Sequence, residues 1–109
     1  MDNEKLIVVL TTVGNEAEAT AIATSLVDER LAACVNIVPG LRSIYRWEGA
    51  VQDDAELLLV TKTRASLFEK LQARIAALHS YSNPEIVALP AEAVAEKYFS
   101  WMLKETEND

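Results

Sequence analysis

The chain has 109 residues, half of them apolar and a quarter charged, which fits one folded domain and excludes a disordered chain. A single cysteine and a single histidine exclude an intramolecular disulfide, a Cys-x-x-Cys motif and a His-Glu-x-x-His site within one subunit. Seventeen acids against ten bases, net charge −7, leave no basic footprint for DNA or RNA, while cations and small molecules stay open as partners.

The longest apolar runs, Leu6–Leu10 and Leu57–Val60, fall far short of the roughly 20 residues of a bilayer span. No membrane association is therefore expected. The opening Met1-Asp2-Asn3-Glu4 lacks the basic and apolar stretches of a signal peptide, so the expected location is cytoplasmic.

Leu6–Thr12 is a β-branched run that reads as a strand with both faces buried. Val13-Gly14-Asn15 breaks it, and Asn15 with Glu18 has the spacing of a capping box for a helix over about Glu16–Ala32. Ala19, Ile22, Leu26 and Leu31 would face inward. A second strand, Cys34–Val38, is interrupted by Pro39-Gly40, which marks a bend or bulge, and resumes through Leu41–Trp47. Glu48-Gly49 reads as a hairpin tip, and a third strand returns through Val51–Thr63. Ser66 and Glu69 repeat the capping-box spacing ahead of a helical stripe of Phe68, Leu71, Ile75 and Leu78. A polar connection, His79–Pro84, leads to a fourth strand, Glu85–Leu89, closed by Pro90. A last helix over about Val94–Glu105 carries Tyr98, Trp101 and Met102, followed by an acidic tail from about Glu105.

The order β-α-β-β-α-β with an added C-terminal helix predicts an α+β fold, a ferredoxin-like sandwich in one domain over residues 1–109. Strands two and three form an extended hairpin, longer than the usual strand of about 5–6 residues, that projects beyond its own subunit's core. Two helices cover one face of the sheet, so the other would stay apolar and bare in a monomer. A homo-oligomer is expected on that ground.

Several stretches carry a resemblance to a known family. They are Ala33–Gly40, Ser43–Gly49, Glu56 with Leu59–Thr63, Asn83–Pro90, and the pair Tyr98 and Trp101. Together they resemble the CutA divalent-cation tolerance family over about residues 5–103. The resemblance implies a ferredoxin-like subunit in a tight homotrimer, linked in bacteria to copper and divalent-metal tolerance. It also implies a trimer like that of the PII-type signalling proteins. The sequence departs from the family pattern at Ser80, where proline is usual between His79 and Tyr81. It also has Leu10-Thr11-Thr12 where some members carry a metal-ligating cysteine, and Leu78 where some carry a second histidine.

His79 stands at a helix end before a polar loop, either as a metal or small-ligand contact or as a partner of the last helix carbonyls. A trimer supplies three copies of His79 and lets Glu85 approach across an interface, which makes His79 and Glu85 the candidate metal ligands. Imidazole and carboxylate favour Cu(II) or Zn(II) over Cu(I), and binding should weaken as pH falls because the imidazole must be neutral. No cofactor is required on this reading; Cu(II) or another divalent cation is the candidate ion.

Lys62, Tyr81 and Trp101 are candidates for an inter-subunit cleft, with Trp101 equally suited to a core. Glu56 and Lys62 point to one face of strand three but sit roughly 20 Å apart, too far for one site in a subunit. Each is either a strand-end charge or part of a cleft wall. Tyr45 and Trp47, on the hairpin, are expected to pack against a neighbouring subunit. Cys34 is expected to be a buried, inert thiol, and Asp53-Asp54 to be solvated.

Neither a nucleophile signature nor a buried carboxylate pair is evident, so an enzyme is not expected. Two functions of different class remain. One is a metal-tolerance or metal-response protein that binds divalent cations, copper among them, weakly. The other is a PII-like signalling or scaffold trimer that takes a small anionic or nucleotide-like ligand between subunits, which Lys62 favours.

Overall fold

The computed structural model describes residues 4–107. The first three residues of the opening and the last two of the acidic tail lie outside the described residues. In chain order the elements are β1 (Leu6–Val13), α1 (Glu16–Asp28), β2 (Cys34–Trp47), β3 (Ala50–Arg64), α2 (Phe68–Leu78), β4 (Val87–Pro90) and α3 (Glu96–Glu105). The four strands form one antiparallel sheet in the order β2-β3-β1-β4, the ferredoxin-like arrangement expected. Among the described residues, no helix is long and apolar enough to cross a membrane.

The Asn15 side chain accepts from the Glu18 amide at 2.8 Å and starts α1 as the spacing predicted. The helix ends at Asp28, four residues before the expected Ala32. Arg30 turns the chain with φ +60, the Leu31 amide donates to the Leu26 carbonyl and the Arg30 amide to the Val27 carbonyl. This is the double closure of a Schellman motif made without glycine, and it returns Leu31 to the core. The second capping box does not form. Ser66 lies in a single 3-10 turn over Ala65–Leu67, and its amide and hydroxyl both donate to the Glu4 carboxylate.

Every second residue of the central strands faces the two helices. Val9, Val13 and Leu59 are fully buried there with Ile22, Leu26, Leu71 and Ile75. Burial of both strand faces was expected from the unbroken apolar runs. In the protomer it holds on the helix side, while Val8, Leu10, Leu58 and Val60 are half-buried on the other. One end of that second face is covered by α3, where Met102 packs with Leu6 and Ala33. Arg64 holds the end of α3 by donating to the Thr106 hydroxyl at 2.9 Å and to the Leu103 carbonyl. Farther along the same face, Val38, Val87 and Leu89 remain 42–47% exposed.

The hairpin of β2 and β3 outruns the rest of the sheet. β1 pairs with β3 over Leu57–Arg64 and stops, so Leu41–Trp47 and Ala50–Glu56 pair with each other alone. Val38 pairs with Leu58 and Leu41 with Glu56, which leaves Pro39 and Gly40 together opposite Leu57. Gly40, at φ +82, supplies the left-handed residue that such a bulge needs. At the tip, Glu48 and Gly49 both have positive φ, 50° and 80°, the pairing of a type I′ turn.

Candidate functional site

The place where the hairpin leaves the body of the sheet is a cavity of about 460 Å³. One wall comes from the hairpin, with Tyr45, Trp47 and Glu56. The other comes from the connection between α2 and β4, with Tyr81 and Glu85, and Thr12 near the end of β1 also lines it. Register explains the hairpin wall: Leu41, Tyr45 and Trp47 pair with Glu56, Gln52 and Ala50, so all six share one face. Glu56 is 6% exposed, and its carboxylate accepts a hydrogen bond from the Tyr81 hydroxyl at 2.7 Å. Tyr81 reaches it past Gly14, where a Cβ would stand 3.1 Å from the phenol oxygen.

The Tyr81 wall is fixed from behind by His79 and Glu18. The His79 side chain is fully buried. Its Nε2–H donates to the Thr12 carbonyl at 2.8 Å, and its Nδ1 accepts from the Tyr81 amide at 3.0 Å. These two contacts together assign the neutral Nε2–H tautomer. The Tyr81 ring lies 4.7 Å from the imidazole. Glu18 accepts from the amide and hydroxyl of Ser80 and stands 3.3 Å from His79 Nδ1, so the loop is tied to the start of α1. The Glu18 side chain is thereby drawn from the reciprocal capping role that its spacing suggested.

All three tyrosines of the chain hold their protons more tightly than a free phenol. Burial first, and then the hydrogen bond to Glu56, raise Tyr81 well above its ordinary value. The hydrogen bond to Asp54 raises Tyr45, and burial raises Tyr98. An acid whose folded pKa is raised contributes stability that is full below its unfolded value and is lost as pH rises through the folded one. Absorbance titration of the native protein is therefore expected to show Tyr81 ionising well above the ordinary value of about 10, whereas denaturant should restore normal titration. Glu56→Gln should lower Tyr81 part of the way and leave the contribution of burial. A native titration in which Tyr81 ionises at the ordinary value would overturn this account.

The family model for the CutA1 divalent ion tolerance protein matches residues 7–105. The chain belongs to the CutA1 divalent ion tolerance family. It is 57% identical over 99 residues to the divalent-cation tolerance protein CutA of Thermus thermophilus, covering 91% of this chain and 96% of that one. It is 50% identical over 102 residues to the chloroplastic protein CutA of Arabidopsis thaliana, covering 94% of this chain and 56% of that longer one. Thus it spans nearly all of the bacterial relative and about half of the plant one. Among solved structures, the Thermus thermophilus protein superposes with a TM-score of 0.91 at 55% identity, covering 94% of this chain and 99% of that one. The CutA1 structure from Oryza sativa gives a TM-score of 0.93 at 47% identity, covering 96% of each chain.

Within this family member, the residues singled out from sequence are distributed unevenly. Tyr81 and Glu85 meet in the cavity, together with Tyr45 and Trp47 from the hairpin. His79 lies behind that wall, with each ring nitrogen already engaged. Lys62 is elsewhere on the sheet, where its ammonium donates to the Asn36 side chain. Trp101 lies against Tyr98 on α3, with ring centroids 5.3 Å apart, and borders a different groove beside Val27 and Arg30. Cys34 is half-exposed rather than buried, because it begins the edge strand. Asp53 is not merely solvated: Arg42 forks onto it through two hydrogen bonds of 2.9 and 2.7 Å and lowers its pKa. Glu56 is buried rather than a strand-end charge. Its sequence signal was an acid set directly before the apolar run Leu57–Val60. Among the described residues of one protomer, no group of three or more His, Cys, Asp or Glu side chains is placed to hold a metal ion.

Proposed function

We propose that this chain serves divalent-cation tolerance as a homotrimer that binds divalent cations, Cu(II) and Zn(II) among them, weakly. The observation that carries the reading is membership of the divalent ion tolerance family over nearly the whole chain. The cavity supports it chemically, since Glu56 and Glu85 offer oxygen donors of the kind that take divalent ions. His79 enters as the residue that positions Tyr81, with Glu85 as the direct contact. Trimerisation is supported by the apolar surface left at Val38, Val87 and Leu89 and by a hairpin too long for its own core. The half-exposed free thiol of Cys34 suits a reducing cytoplasmic setting.

Calorimetric titration with Cu(II) and Zn(II) at pH 7.5 tests the binding. The expected result is saturable, weak heat that Glu85→Gln reduces and that leaves the oligomer intact. Absence of heat with either ion would overturn direct binding. Sedimentation should give three chains per particle at micromolar concentration, and a stable monomer would overturn the trimer. A second reading, a ligand-responsive scaffold of the PII kind, is favoured by the aromatic wall of Tyr45, Trp47 and Tyr81.

A further inference from the structure

Glu18 is placed to do more than begin a helix. It lies three residues after the Asn15 cap of α1, where a glutamate ordinarily turns back to the amide of the cap itself. Its carboxylate crosses instead to the residues that follow α2. One oxygen accepts from the Ser80 amide at 2.7 Å and the other from the Ser80 hydroxyl at 2.8 Å. The Glu18 side chain is 11% exposed, so its charge is held largely out of water. Two charge-assisted hydrogen bonds and the positive end of the α1 dipole offset that cost.

Contacts on successive amides make this clamp specific. Ser80 donates its N–H to Glu18 Oε2, and Tyr81, the next residue, donates its N–H to His79 Nδ1 at 3.0 Å. The two acceptors stand 3.3 Å apart, and the amides facing them sustain that approach. Peptide planes are rigid, so fixing two in succession fixes both dihedrals of Ser80. The direction in which the Tyr81 side chain leaves the backbone follows, and Tyr81 carries the hydroxyl that meets Glu56 at 2.7 Å. Ser80 is itself exposed and brings no apolar anchor to the loop. Glu18, His79 and Ser80 belong to one chain and join the first turn of α1 to the end of α2, in the helix layer. The clamp therefore does not depend on what covers the sheet face at Val38, Val87 and Leu89.

We propose that Glu18 is a positioning residue of the cation site: it fixes Ser80, Ser80 places Tyr81, and Tyr81 orients the Glu56 carboxylate. The link to cations rests on the divalent-ion role proposed for the cavity, whereas the placement of Tyr81 stands on contacts within the chain. Glu18 acts through its hydrogen bonds rather than through its charge. Glutamine keeps them, with its carbonyl accepting from the Ser80 amide and its amide nitrogen donating to the Ser80 hydroxyl oxygen. Alanine removes both.

Glu18→Ala, Glu18→Gln and Ser80→Ala, each made in the full chain and studied in its native assembly, test this. Amide hydrogen exchange reads the clamp directly. Glu18→Ala is expected to speed exchange at Ser80 and Tyr81 about tenfold or more, with the ladder amides of β1 and β3 changing less. Ser80→Ala, which keeps the amide, should give a smaller increase, and combining it with Glu18→Ala should add little. Calorimetry with Zn(II) at pH 7.5 reads the site: Glu18→Ala should weaken binding severalfold, and Glu18→Gln should restore most of the loss. A glutamate with a merely structural role would lower the unfolding midpoint and leave Zn(II) affinity unmoved. Unchanged exchange at Tyr81 in Glu18→Ala would overturn the proposal whatever the ion does, and faster exchange with unchanged Zn(II) affinity would overturn the link to the site. Equal loss of affinity in the alanine and glutamine variants would also overturn it, because the charge of Glu18 would then act on the ion directly. A parent protein that binds no Zn(II) would overturn the cation link alone, and exchange at Tyr81 would still decide the clamp.

Discussion

Leu59→Ala is expected to destabilise the protein by about 2–5 kcal/mol, the range for a large-to-small change in a core that cannot collapse around the gap. Leu59 is fully buried on β3, an interior strand of the sheet, between Thr11 of β1 and Ile37 of β2. Its neighbours on both sides are held in register by the ladder, so the backbone cannot close in. Domains of this size retain about 5–15 kcal/mol in all, so the loss is a large share of the whole. Guanidinium unfolding should show a lower midpoint with an unchanged slope. Ile44→Ala, at 65% exposure on the hairpin, is the control and should move the isolated protomer by less than about 0.5 kcal/mol. Equal effects at the two positions would contradict this placement of the core.

The second large effect is a gain. The hydroxyls of Thr11 and Thr61 are buried with no hydrogen-bond partner among the described residues. The register Thr11 to Leu59 and Val9 to Thr61 makes them diagonal neighbours on the helix-facing side. An unsatisfied buried hydroxyl costs about 1–3 kcal/mol, and valine keeps the shape while removing the polar atom. Thr11→Val and Thr61→Val should each raise the unfolding midpoint. Thr63→Val should lower it, because the Thr63 hydroxyl donates to the Leu31 carbonyl at 2.6 Å in the same buried layer. Opposite signs for chemically identical changes on one strand are the decisive outcome. A loss at Thr11 or Thr61 would mean that those hydroxyls are bonded in solution.

Period and capping made most of the fold legible. The apolar runs Leu6–Leu10 and Leu57–Val60, the stripe Phe68, Leu71, Ile75 and Leu78, and the Asn15 cap are local signals, which a sequence states directly. The misreadings share another cause. Ser66 has the residue type and spacing of a cap, but Glu4, 62 positions away, takes its donors. The end of α1 was misplaced because Arg30 occupies a conformation normally signalled by glycine. β4 begins at Val87, not Glu85: its ladder with β1 ends at the pair Leu10–Val87, and Glu85 lines the cavity instead.

The site was legible as an inventory and not as an arrangement. Tyr81 and Glu85 drew notice by type, and they do meet. The burial of Glu56 depends on Tyr81 passing Gly14, a contact between segments far apart in sequence. Within the protomer, Lys62 pairs with the Asn36 side chain and Trp101 with Tyr98, both away from this cavity.

The extra residue at Pro39–Gly40 shifts β2 by half a pleat period. Ahead of it, Asn36 and Val38 oppose Val60 and Leu58, so even-numbered residues take the side away from the helices. Beyond it, odd-numbered residues do, because Leu41 opposes Glu56 and Tyr45 opposes Gln52. An unshifted strand would present Arg42, Ile44 and Arg46 to the cavity and turn Tyr45 and Trp47 away. The same amino acids would then build a wall with two guanidinium groups and no aromatic ring. The electrostatic sign of this recess is thus written in the phase of the strand, by the one-residue mismatch between its two arms, rather than in the composition of the hairpin.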